Sequence, residues 1–66
     1  MEEFLNKICF IKINVNEKVF YYLRSKLINI SNTHITFEDT TRNDELHSYR
    51  IADIIEIKLS NKVEAK

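Results

Sequence analysis

Val19-Phe20-Tyr21-Tyr22-Leu23-Arg24-Ser25-Lys26-Leu27-Ile28-Asn29-Ile30 is the stretch on which the fold turns. It is rich in aromatic and branched side chains and contains no Gly or Pro, the composition of a β-strand. By the two-residue period of a strand, Val19, Tyr21, Leu23, Ser25 and Leu27 share one face, and Phe20, Tyr22, Arg24 and Lys26 share the other. Towards the end the apolar character passes to Ile28 and Ile30, so the strand changes face. A long strand that does this needs a bulge or a sharp bend, the device by which one strand serves both halves of a small barrel.

Upstream, Asn14-Val15-Asn16-Glu17-Lys18 is a polar turn supplied with Asn, the residue after Gly most tolerant of positive φ. Before it, Ile8 to Val15 alternates, with Cys9, Ile11, Ile13 and Val15 on a core face and Phe10, Lys12 and Asn14 opposite, so the two strands form a hairpin. Residues Met1–Lys7 carry acids first and a base last, with Phe4, Leu5 and Ile8 at helical spacing, which predicts a turn or two of helix.

Downstream, Ser31-Asn32-Thr33-His34 makes a turn into a short strand in which Ile35 and Phe37 alternate with Thr36 and Glu38. Asp39 to Glu45 reads as a polar loop, Leu46 to Ile51 as a fourth strand and Ala52-Asp53 as a tight 3₁₀ link. Ile55, Ile57 and Leu59 alternate in a fifth strand, and residues 60–66 form a polar tail. The expected fold class is mainly all-β: one small five-stranded barrel at about residues 8–59 of a single domain, with a short N-terminal helix.

With 66 residues, the chain is near the lower limit for a core unaided by disulfides or metals. It is 44% hydrophobic, with ten isoleucines and seven aromatics, ample for a core and unlike a disordered chain. Cys9 is the only cysteine, so no internal disulfide can form, and a reducing, cytoplasmic setting fits, in a cell or for a viral protein acting there. No apolar run has the length needed to span a bilayer, and Met1-Glu2-Glu3 has the wrong charge for a secretory signal, so no membrane association is expected. Gly and Pro are both absent, so turns must be made by Asn and Asp.

Formal charge is zero, which removes the simplest electrostatic case for nucleic-acid binding, but the charges are segregated. Lys7 to Lys26 holds five bases and one acid, and Glu38 to Glu56 six acids and two bases.

Five strands, a long bent second strand, a polar loop before the fourth and a one-turn link into the fifth resemble the SH3-like and Sm-like small barrels. Leu23-x-Ser25-x-Leu27-x-x-x-Ser31 is similar to the first Sm motif, with Ser25 where that family has Gly for close curvature and Ser31 where it has a turn-capping Asp. Tyr49-Arg50-Ile51-Ala52-Asp53-Ile54 is similar to the Tyr-Lys-His-Ala stretch of the bacterial Sm-like Hfq family, and Phe4-Leu5-Asn6 to the start of its helix. The resemblance implies the fold and RNA binding by a homo-oligomeric ring. The family's RNA-contacting Asn falls in the His34-Ile35 region and is missing here, and its second-motif base pair survives only as Arg50, with Ile51 at the His position. Fold thus carries over better than uridine binding.

No catalytic machinery is visible. His34 and His47 lack further ligands at metal spacing, so neither metal nor cofactor is expected. Cys9 has the pattern of a core residue rather than a nucleophile. Two functions remain, both non-enzymatic. In the first, Tyr22, Arg24, Lys26, Tyr49 and Arg50 contact RNA or another nucleic acid by stacking and phosphate neutralisation. In the second, Phe20 with the charged loop residues Glu38, Asp39, Arg42, Asp44 and Glu45 forms a protein interface, as an adaptor or a small viral inhibitor of a host protein.

Overall fold

Val15 and Lys18 face each other across a two-residue turn in which Asn16 and Glu17 have φ of 52° and 68°. Both central residues at positive φ make this a type I′ turn, whose twist matches the strands it joins. The computed structural model describes residues 2–60. They form five antiparallel strands, β1 (Ile8–Val15), β2 (Lys18–Ile30), β3 (His34–Asp39), β4 (Glu45–Arg50) and β5 (Ile54–Leu59). These make a single sheet of order β4-β3-β2-β1-β5.

Cys9, Ile11, Ile13, Leu27, Ile35 and Phe37 are completely buried and form one core. A flat single sheet cannot bury residues on either face, so the sheet curls around this cluster. Val15, Ile30, Tyr49, Ile51, Ile54 and Ile57 close its rim. The expected core face of the first strand is the one observed. Cys9 lies among apolar neighbours, and burial pushes its thiol pKa above the ordinary range.

Curvature comes from three irregularities of register. Cys9 pairs with Ser25 but Ile11 with Tyr22, so Leu23 and Arg24 together oppose Phe10. Leu27 pairs with Phe37 but Asn29 with Thr36, leaving Ile28 as an extra residue. Lys12 pairs with Glu56 but Ile13 with Ile54, leaving Ile55 extra. The face change expected at Ile28 is present. The bulge at Leu23–Arg24 is a correction, because it inverts the first half of β2. Val19, Tyr21 and Leu23 are exposed, Tyr22 turns towards the core, and Ser25 and Leu27 are buried. Phe20, Tyr22, Arg24 and Lys26 therefore do not share one face.

Among the described residues the expected N-terminal helix is a single 3₁₀ turn, Glu2–Phe4. Asn6, with φ of 65°, ends it, and its backbone N–H donates to the Leu27 carbonyl at 2.6 Å, laying Phe4 over the end of the core. Ser31 closes the β2–β3 turn by accepting from the backbone N–H of Thr33 and of His34. A second 3₁₀ turn, Ile51–Asp53, links β4 to β5, with the Ile51 N–H bound to the Thr33 carbonyl. Of the polar tail, only Ser60 is described; residues 61–66 lie outside the described residues. No helix among the described residues is long and apolar enough to cross a membrane.

Candidate binding cleft

The pairing of β2 with β3 begins only at Ser25, so the first half of β2 is bonded to β1 on one side and to no strand on the other. Beside this half the chain runs from the end of β3 through Thr40–Asp44 into β4, leaving a cleft of about 360 Å³. Phe20, Tyr21, Tyr22 and Leu23 line one wall, and Asp39, Thr41, Arg42 and His47 the other.

The second wall is held by Asp39, which is only 2% exposed. One carboxylate oxygen accepts from the Thr41 backbone N–H at 3.0 Å and from the Thr41 hydroxyl at 2.7 Å. The other lies 3.8 Å from the Arg42 Nε. Arg42 closes one turn on the Asp39 carbonyl, and a second turn follows with Asn43 and Asp44 at φ of 59° and 57°. The loop is thus built around a buried carboxylate, and Asp39 is a structural member of β3 rather than part of a freely solvated loop. Arg42, with its side chain 74% exposed, is left at the mouth.

The floor is aromatic. Tyr22 meets Phe37 edge-on at 5.0 Å between centroids, and His47 and Tyr49 lie at 5.1 and 5.9 Å from it. The Tyr22 and Tyr49 hydroxyls are 2.6 Å apart. Burial first, then the bond to Tyr49 and the nearby Tyr49 and Asp39 oxygens, push the Tyr22 phenol above the ordinary tyrosine range. Tyr22 therefore stays neutral, its ring committed to packing rather than free to stack on a base.

The five nucleic-acid candidates do not converge. Tyr22 and Tyr49 belong to the cluster just described. Arg24 sits in the bulge, half-buried, with one guanidinium nitrogen enclosed and without a hydrogen-bond partner, while Lys26 is exposed on the opposite face. Arg50 forms a two-bond pair with Asp53 at 3.2 Å. Of the protein-interface candidates, Phe20, Asp39 and Arg42 meet in the cleft, where Tyr22 joins them. Glu38 is opposite Lys26 and Leu46 on the outer face, Glu45 bonds His47 Nε2 at 3.2 Å, and Asp44 stays in the turn. The unpaired half of β2 is what opens this cleft.

Two features of the site were missed from sequence, Tyr21 with Leu23 as exposed residues and His47 as a lining residue. Exposed large apolar residues concentrate on this segment: Val19 at 43%, Phe20 at 41%, Tyr21 at 58% and Leu23 at 60%. On the outer face Lys12 Nζ lies 5.6 Å from the Tyr21 ring centre and Lys58 Nζ 5.4 Å from that of Phe10, with Glu56 3.6 Å from Lys58. Among the described residues no group of three or more His, Cys, Asp or Glu is placed to hold a metal ion. No family model matches the chain, and neither a curated protein nor a solved structure matches it.

Proposed function

We propose that this chain is a non-catalytic binding module whose partner is a protein. The observation that carries this reading is the run Val19–Leu23, five uncharged residues of which Val19, Phe20, Tyr21 and Leu23 expose large apolar side chains that continue into the cleft. Aromatic side chains concentrated at a concave site, with charges pushed to its rim, are the make-up of a protein interface core. The divergence of Arg24, Lys26 and Arg50 leaves no cationic track along which a phosphate backbone would lie.

A photoreactive phenylalanine analogue placed at Tyr21 tests this. The expected adducts in an extract are destroyed by protease and survive nuclease, whereas the analogue at exposed Asn29 gives none. Nuclease-sensitive adducts, or binding of labelled oligo-U or oligo-A at low salt and tens of micromolar protein, would overturn the reading.

A second reading, an Sm-like homo-oligomeric ring that binds RNA, is favoured by a different observation. Strands β4 and β5 are the two edges of the sheet and are not paired to one another. Edge strands invite pairing between copies, and head-to-tail pairing of β4 with β5 would generate a ring. Light scattering separates the two: a hexamer or heptamer supports the ring, a monomer the protein-binding module.

A further inference from the structure

Resting on the protein-interface reading, we propose that the unpaired edge of β2 from Val19 to Leu23 takes up an extended peptide of alternating apolar and acidic residues as an added strand. The argument begins with the backbone. The two-residue turn makes Val15 and Lys18 a hydrogen-bonded pair, and bonded pairs alternate along an antiparallel ladder. Val19, Tyr21 and Leu23 therefore turn their backbone N–H and C=O groups away from β1. Farther along, β3 meets the same edge of β2, beginning with the Thr40 N–H on the Arg24 carbonyl at 3.0 Å. The free segment ends where β3 begins, so β3 forms a stop for an incoming strand.

An edge of five uncharged, β-prone residues has no Lys and no Pro along it, and the Thr40–Asp44 loop stands across the cleft from it. Its side chains specify the chemistry of the occupant. Residues opposite one another in a sheet point to the same side. On the outer side the occupant meets Val19, Tyr21 and Leu23, which call for apolar side chains. On the inner side it runs past Phe20 and Tyr22 towards Arg42, with Lys18 at the start of the segment, which calls for carboxylates. Asp39, the one acid lining the cleft, already accepts two hydrogen bonds from Thr41 and faces Arg42. A second copy of the chain fits less well. Antiparallel self-pairing centred on Tyr21 sets Lys18 opposite Arg24, and like charges directly opposed are destabilising.

The test is a titration of the full ¹⁵N-labelled chain with a synthetic hexapeptide, acetyl-Val-Asp-Val-Glu-Val-Asp-amide. Two comparison peptides are the same sequence N-methylated at alternate amides, and one with lysine in place of each acid. The expected result with the acidic peptide is shifted amides across Val19–Leu23 and new exchange protection at Val19, Tyr21 and Leu23, and binding at least tenfold weaker with either comparison peptide. Arg42→Glu reverses the preference between acidic and lysine peptides, its dispersed spectrum showing that the fold is kept. Equal binding of the N-methylated peptide overturns strand addition while leaving a side-chain interface at the cleft intact. Equal binding of the lysine peptide overturns the acidic occupant. Concentration-dependent broadening of Val19–Leu23 in the free protein, abolished by Tyr21→Lys, gives the edge to a second copy and also overturns the proposal. Absence of any shift at millimolar peptide overturns it outright.

Discussion

Ser25 stands between Cys9 on β1 and Asp39 on β3, fully enclosed, with its hydroxyl lacking a hydrogen-bond partner. A larger side chain would not fit where three strands crowd past the bulge, and a buried hydroxyl without a partner costs free energy. Ser25→Ala is therefore expected to stabilise the fold by about 1 kcal/mol, read from the urea midpoint. Glu17 presents the opposite case, a residue with a Cβ held in left-handed backbone. Glu17→Gly, which completes an Asn-Gly pair, is expected to raise stability by about 1 kcal/mol, the left-handed penalty less the entropy glycine adds to the unfolded chain. Tyr22 and Cys9 set the pH response. Both have pKa values raised by burial, so the folded state holds their protons more tightly than the unfolded one. The stability this supplies is complete below the unfolded values, 9.0 for the thiol and 10.0 for the phenol, and drains as pH rises beyond them towards the folded ones. The urea midpoint should be level from about pH 7 to 8 and fall above pH 9, less steeply in Tyr22→Phe.

Strand β2 carries the difference between what the sequence discloses and what it hides. Its strand character, its length and a change of face were legible from alternation, as were the strand ends at Ile8, Val15 and Leu59 and the Asn-bearing turns. The place of the first face change was not. A bulge at Leu23–Arg24 depends on which β1 residue lies opposite, a tertiary fact, and a single extra residue sends every side chain before it to the other side. That one step put Tyr21 and Leu23 outside, turned Tyr22 inward, and separated Lys26 from the aromatic residues it appeared to accompany. The candidate cleft was legible in part for the same reason. Arg42 and Phe20 were chosen by type, but the loop that brings them together is organised by Asp39, whose burial no local pattern announces. Deleting Arg24 leaves Val19, Tyr21 and Leu23 on the outer side, because Ser25 then follows Leu23 in plain alternation, but it removes the bend by which β2 passes from β1 to β3 around the core. Loss of near-UV circular dichroism and of cooperative unfolding is the expected outcome.

The molecule as a whole has one small core serving five strands, and Phe37 is at its centre, touching Tyr22, His47 and Tyr49. Truncation of a buried Phe costs about 3 to 5 kcal/mol, comparable to the whole stability of a domain this size. Phe37→Ala should leave the chain unfolded at 25 °C, while Phe37→Leu should fold with a lowered thermal midpoint, both followed by circular dichroism. Three of the four strand pairings join neighbours in sequence, β1 to β2, β2 to β3 and β3 to β4. The fourth, β1 to β5, joins the two ends of the described chain, Cys9 to Leu59. During synthesis on the ribosome the local hairpins can assemble as they emerge, but β1 must wait, one flank bare, until the last strand leaves the exit tunnel. The interval between those events is when the nascent chain is most open to capture by a neighbouring copy, so slow translation of the final strand would be expected to cost yield before it cost stability.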